Sequence, residues 1–272
     1  MSDKTLMAVF AHPDDEAFGT GGTFARYAAQ GCDVHLVTAT RGEAGQIAEG
    51  VAANPANLPD IREQELRCAC RAYGIGEPHL LGFTDGQLPI AHQGQAVGRL
   101  VRLIRQVRPD VLITFGPEGI YGHYDHIAVH RWATIAVELA RDPDCFPDTP
   151  GAEGADCRPH EVSKLYYRVM PEAQLDVMRN ENGRAAVMMD GVPFPFVGYP
   201  DAQITTVVDV APYVDAKVRG IRCHASQIPS GAAEEWEAMM QDPAFRYEYY
   251  ILAHSTVGWP DGQEDDLLAR LG

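Results

Sequence analysis

The sequence predicts an α/β protein: a Rossmann-like, mostly parallel sheet flanked by helices, forming a single domain with additions toward its C-terminal end. Three observations predict it. Short apolar runs alternate with amphipathic helical patterns through the first half, and polar clusters stand directly behind the apolar runs. The 272 residues, 46% of them hydrophobic, suffice for one full core, and no linker divides them cleanly.

Residues 6–10 form an apolar run of strand length, followed by a helical pattern over 19–30. Residues 34–38 are strand-like, 59–73 helical, 79–82 a short strand, 95–107 helical, 111–115 strand-like and 126–141 helical. In the 59–73 helix, Leu66, Ala69, Cys70 and Tyr73 fall on one stripe, so that stripe faces the core. Glycines 19, 21 and 22 do not follow the Gly-x-Gly-x-x-Gly spacing, and the acidic turn ahead of them repels phosphate. Their predicted role is to let the helix approach the sheet.

From 142 to 159 the chain turns to Asp, Pro, Gly and Glu without periodicity, which predicts a loop insertion within one domain spanning 1–272. Strand character resumes over 164–169. A rigid aromatic segment, 193–197, is non-helical, and the β-branched run 204–208 is strand-like. Residues 214–224 and 232–241 are helical, and 247–253 are apolar.

A formal charge of -16 argues against nucleic acid or an anionic membrane as partner, because no basic cluster is present to neutralise phosphates. A small-molecule substrate fits better, and the composition leaves a homo-oligomer open. The N-terminal residues lack a basic region followed by an apolar stretch, and no apolar run approaches the roughly 18 residues of a membrane span. The expected setting is cytoplasmic. The six cysteines form no Cys-x-x-Cys pair, and inert thiols are expected; Cys145 and Cys157, both in the loop-like stretch, are the one pair considered for bonding.

The cluster Ala11-His-Pro-Asp-Asp-Glu16 stands where the first buried strand ends. A histidine and carboxylates so crowded repel one another unless a cation sits among them, although an Asx turn capping the next helix is the plainer reading. Gly122-His-Tyr-Asp-His126 follows the strand at 111–115. Ligands in open α/β sheets bind beyond the carboxyl ends of strands, so the two clusters can meet in one crevice. His12, Asp15 and His126 would supply three ligands and leave a fourth position for water, as in hydrolytic zinc sites. His130, four residues after His126, offers a rival ligand but is better read as a pocket-wall histidine.

Asp14 beside a ligand is the candidate general base. His123 would stabilise an oxyanion as an imidazolium, Asp125 would hold that imidazole and raise its pKa, and Tyr121 is a further donor. Arg41, Arg62 and Asp85, near other strand ends, are candidates for gripping substrate hydroxyls.

With these residues in view the chain resembles the LmbE/PIG-L family of metal-dependent de-N-acetylases. The likeness is carried by Ala11-His-Pro-Asp-Asp-Glu16, Thr40-Arg-Gly-Glu-Ala-Gly45, Arg62-Glu-x-Glu-Leu66, Leu81-Gly-Phe-x-Asp-Gly86, Gly122-His-x-Asp-His126 and His224-Ala-Ser-Gln227. The resemblance implies Zn2+ on His12, Asp15 and His126, with Asp14 as base and His123 at the oxyanion. It also implies Arg62 and Asp85 near sugar hydroxyls. Tyr124 stands where the family pattern has proline, which brings loop rigidity into question. A two-His, one-Asp site also accepts Fe2+, Co2+ or Mn2+. The expected reaction is hydrolysis of the N-acetyl group of an N-acetylglucosamine-type glycoside. The alternatives are an amidase of a larger thiol-sugar conjugate and a non-catalytic metal- and sugar-binding module.

Overall fold

Strand β1 (Thr5–Phe10) is buried from its second residue to its last, as an apolar run without alternation must be when both sheet faces are covered. It lies mid-sheet in a computed structural model that describes residues 4–147, 158–179, 183, 185–189, 191–228, 232–240 and 242–272. Two short helices follow, α1 (Asp15–Gly19) and α2 (Gly21–Ala29). The helix expected from residue 19 thus begins earlier and breaks at Thr20, whose hydroxyl donates to the Glu16 carbonyl at 2.8 Å. Strand β2 (Asp33–Thr38), helix α3 (Leu58–Tyr73), strand β3 (His79–Leu80) and helix α4 (Gln93–Val107) match the sequence pattern within a few residues. Next come β4 (Val111–Phe115), a single irregular turn α5 (Gly119–Gly122), α6 (Tyr124–Ala140) and β5 (Lys164–Val169).

The rest is α7 (Glu172–Met178), the hairpin β6 (Ala186–Met189) and β7 (Val192–Pro195), β8 (Thr206–Asp209), α8 (Val214–Cys223), α9 (Ala232–Met240) and β9 (Tyr247–Ser255). Among the described residues the main sheet has seven strands in the order β3-β2-β1-β4-β5-β9-β8. The first five are parallel, and β9 runs antiparallel to both its neighbours. The mostly parallel sheet expected from the sequence is therefore observed, its C-terminal addition being the antiparallel edge. Strand order reverses between β1 and β4, which pair from Leu6 with Val111 to Ala8 with Ile113. A crevice opens at such a switch point, beyond the carboxyl ends.

The aromatic segment at 193–197 belongs largely to β7, and Val197 N–H donates to the Ile120 carbonyl at 2.8 Å, docking the hairpin onto α5. Of the predicted insertion at 142–159, residues 148–157 lie outside the described residues. Cys157 lies there too. Cys68 of α3 is bonded to Cys223 of α8, which corrects the expectation of inert thiols. Their separation of 155 residues gave no local signal.

One buried ion pair ties the antiparallel edge to the crevice. Glu248 of β9 accepts from Gly22 and Thr23 N–H at 3.1 and 2.7 Å, capping the start of α2, and pairs with Lys217 of α8 at 2.9 Å. Burial alone would raise the Glu248 carboxyl, but Lys217 and Thr23 hold it below the usual range. Its contribution to stability is present above the ordinary glutamate value of about 4.3 and lost as pH falls through the folded value. Lys217→Met leaves this carboxylate buried without its cation and is expected to cost about 3–5 kcal/mol in urea unfolding, much of it recovered by adding Glu248→Gln. An unchanged unfolding midpoint would remove the pair from the account of stability.

Candidate metal centre

The turn after β1 brings two imidazoles and a carboxylate together. Asp15 Oδ2 accepts from the Ala11 and His12 N–H groups at 3.2 and 2.7 Å, which folds the side chain back over the strand end. It stands 3.4 Å from His12 Nδ1, and Asp15 Oδ1 stands 3.1 Å from His126 Nε2. His12 Nδ1 and His126 Nε2 are 3.3 Å apart. The other nitrogen of each ring fixes its proton. His126 Nδ1 lies 3.1 Å from the Gly119 carbonyl, to which only an N–H can bond. His12 Nε2 lies 3.0 Å from Asp85 and 3.2 Å from Asp125. Those bonds leave two lone pairs and a carboxylate aimed at one point, an arrangement stable only with a cation or an extra proton among them.

The electrostatics agree. Burial draws the His12 imidazole down, yet hydrogen bonds to Asp125, Asp15 and Asp85 hold it well above its ordinary value. Burial works upward on Asp15, and His126 with His12 overcomes it, so the carboxyl lies well below the usual range. His12, Asp15 and His126 thus fit a divalent cation. A second geometric set uses His12 Nε2 with Asp85 and Asp125. Asp125 is already occupied, its two oxygens accepting from Gly86 and Leu88 N–H at 2.7 and 3.2 Å. The first set opens on a cavity of about 330 Å³, whose lining includes Asp14, Asp15, Tyr121, His126, Arg168 and Phe196.

Asp14 takes a left-handed backbone (φ 112°), a conformation costly for a residue with a Cβ. It is held there by its N–H to Glu16 at 2.9 Å, while its carboxylate accepts from Arg62 at 3.0 Å. Glu16 is itself fixed by buried His224 at 2.6 Å. Burial pushes the Asp14 carboxyl up to about 6, opposed by Arg62 and helped by Asp15. The sequence assigns no role to Glu16 or His224; their signals are the motifs they close and open, Ala11-His-Pro-Asp-Asp-Glu16 and His224-Ala-Ser-Gln227.

His123 stacks on His126 with ring centroids 4.6 Å apart and meets His12 edge-on at 4.9 Å. Tyr121 presents its ring edge to His126, His123 and Phe196 at 5.3–5.8 Å. The expected Asp125–His123 partnership is corrected: the Asp125 carboxylate faces His12, and only its backbone N–H reaches His123 Nδ1, at 3.1 Å. That bond leaves the His123 proton on Nε2. Burial, then His126 and His12, pulls the ring down to about 4, which favours the neutral ring over the expected imidazolium.

The three residues assigned to substrate hydroxyls separate. Arg62 is buried, donating to the Gly42 and Pro13 carbonyls and to Asp14. Asp85 accepts from Ala44 N–H and meets His12. Arg41, half-exposed, pairs with Glu63 at 2.7 Å and with Asp60. None of the three lines the cavity. His130 bonds the Phe115 carbonyl and packs on Tyr167, away from the cluster. Tyr124 is the first residue of α6 and points to solvent; proline is favoured there because that N–H has no helical partner, so its loss leaves the helix start intact.

A switch-point cluster of two histidines and one aspartate, with a spare carboxylate beside it, defines the class: an α/β enzyme built to hold a divalent cation at its reaction centre. The family model described as PIG-L, GlcNAc-PI de-N-acetylase, matches residues 7–137. A 1D-myo-inositol 2-acetamido-2-deoxy-alpha-D-glucopyranoside deacetylase of Rhodococcus jostii is 37% identical over the full length of both chains. The enzyme of that description from Streptomyces avermitilis is 33% identical over 98% of this chain and 97% of its own. The chain belongs to the PIG-L family and is a deacetylase, a hydrolase of an amide C–N bond. Among solved structures, N,N'-diacetylchitobiose deacetylase from Pyrococcus horikoshii matches with TM-score 0.69 and 21% identity, covering 92% of this chain and 83% of its own. The 4-carboxy-2-hydroxymuconate hydratase of Pseudomonas putida matches at 0.66 and 20%, covering 94% and 99%. Such distant likenesses establish the fold. Among the described residues no helix is long and apolar enough to cross a membrane.

Proposed function

We propose that the chain removes the acetyl group from the amide nitrogen of a small N-acetylglucosamine-type glycoside, with Zn2+ held by His12, Asp15 and His126. The observation that carries this reading is the 3.3 Å approach of His12 Nδ1 to His126 Nε2, with Asp15 against both rings and Asp14 on the wall of the same cavity. Fe2+, Co2+ and Mn2+ suit the same ligands. A divalent ion there would supply Lewis-acid polarisation of the acetamide carbonyl and would acidify water.

The chain's own groups carry the rest. Asp14 takes the proton of the attacking water, returns it to the amide nitrogen as the C–N bond breaks to give acetate and free amine, and is kept in place by Arg62 and by the Glu16–His224 pair. Neutral His123 offers its Nε2–H to the carbonyl oxygen as negative charge grows there, with Tyr121 as a second donor. Asp125 and Asp85 orient His12. In this proposal Arg62 and Asp85 act on the sugar indirectly, by positioning Asp14 and His12, and Arg41 remains the outer contact for hydroxyls.

The test is release of acetate and free amine from a panel of N-acetyl sugars, headed by the substrate for which the Rhodococcus relative is named, using Zn2+-loaded protein. Equimolar acetate and amine are expected, with little hydrolysis when the acyl group is enlarged. Failure to release acetate from any N-acetyl sugar overturns the proposal.

A further inference from the structure

Arg168, at the carboxyl end of β5, is 7% exposed and lines the cavity that contains Asp14, Asp15 and His126. Among the described residues its Nε has no hydrogen-bond partner and no carboxylate lies within ion-pair distance of it. After burial and the Tyr250 hydroxyl, the carboxylates that act on it electrostatically are those of Asp15 and Glu248. Both are engaged elsewhere, Asp15 with two imidazoles and Glu248 with Lys217 and the start of α2. A buried guanidinium without a counterion costs stability, and such a cost persists where a ligand removes it.

The surroundings make room for this charge. Gly19 closes α1 against Arg168, and a Cβ at Gly19 would fall 1.7 Å from Arg168 Nε. The rest of the cavity wall is largely apolar, including Phe18, Met170, Phe196 and Phe245. The wall holds two cations, Arg168 and Lys217, and Lys217 is already paired with Glu248, so the charge left over is that of Arg168 and is matched by one negative charge. A dianion would leave surplus charge beside Asp14 and Asp15, whereas the planar fork of arginine fits the two oxygens of a carboxylate.

We propose that Arg168 is a specificity residue: the part of the substrate attached to the amine carries a carboxylate, which pairs with this guanidinium inside the cavity. The identity of that substrate as an N-acetyl glycoside rests on the function proposed above, while the carboxylate contact rests on Arg168 and the cavity.

The test compares methyl N-acetylglucosaminide with its carboxymethyl counterpart, the same sugar with an aglycone ending in a carboxylate. Wild-type protein is expected to favour the carboxymethyl glycoside in kcat/KM by about ten- to a hundredfold, the range of a charge-assisted paired hydrogen bond. Arg168→Met is expected to bring the two glycosides to the same value, and Arg168→Lys to restore only part of the preference. Gly19→Ala, which keeps the charge but pushes the side chain aside, is expected to reduce the preference as well. Binding is read separately from turnover: the carboxymethyl glycoside should raise the Tm of wild-type protein more than the methyl glycoside does, and Arg168→Met should abolish that difference. Without ligand, Arg168→Met should unfold at the same or a higher temperature. Equal Tm shifts from the two glycosides in wild-type protein overturn the proposal even if neither is hydrolysed, an outcome that would separately defeat the deacetylase reading. Loss of both activities by one common factor in Arg168→Met, with the preference retained, also overturns it.

Discussion

Asp14→Asn is expected to lower kcat by about 10²- to 10⁴-fold, the usual worth of a positioned general base, while metal content stays near that of the wild type. The substitution is nearly isosteric. An asparagine oxygen can still accept from Arg62 and the residue can keep its left-handed backbone, as asparagine tolerates that region better than most residues do. What disappears is the basic lone pair beside the proposed cation. Metal analysis after dialysis, set against steady-state rates, separates the two roles. A rate within about threefold of wild type would remove Asp14 as the base, and parallel loss of metal would make it a ligand.

The second large effect is expected on the cation itself. His126→Ala deletes one of the three proposed ligand atoms and opens the stacking between His123 and Phe115, with His126 centroids 4.6 and 4.1 Å from theirs. Metal stoichiometry after dialysis should fall well below one per chain, and turnover with it. Asp125→Asn provides the graded comparison. Because its carboxylate faces His12 Nε2 and not His123, the expected loss is about 10- to 100-fold in metal affinity, the range for groups that orient a ligand. Full metal occupancy in His126→Ala would sink the assignment. An Asp125→Asn variant with wild-type metal affinity would return Asp125 to a role on His123.

Much of this architecture is local in origin and so was legible in the sequence. The parallel strands are short apolar runs, and the α3 stripe of Leu66, Ala69, Cys70 and Tyr73 is buried as its spacing requires. His12 and Asp15 share one turn, and that turn folds because Asp15 reaches back to the Ala11 and His12 N–H groups. Even the convergence of His126 could be anticipated, since a switch-point crevice gathers whatever follows its two central strands. Helix boundaries were less legible where side chains compete with the backbone, as at Thr20.

Arg168 shows why other features were hidden. In the pattern Lys164-Leu-Tyr-Tyr-Arg-Val169 it reads as one more charged residue in a half-polar strand, and a signal lay only in a cation so near a strand end. Whether that cation is neutralised depends on Glu248 and Asp15, which lie 80 and more residues away in either direction and are committed to other partners.

The sequence by itself determined the mostly parallel sheet, the alternation of strands and helices through the first half and the three groups able to hold a cation, because periodicity and strand-end position are properties of neighbouring residues. Tertiary structure alone decided that Asp125 faces His12, that burial draws the His123 ring down, that Cys68 meets Cys223 and that Arg168 has no counterion among the described residues. Each of those depends on competition among distant groups for one hydrogen bond, thiol or charge, and such competition is settled only once the chain has packed.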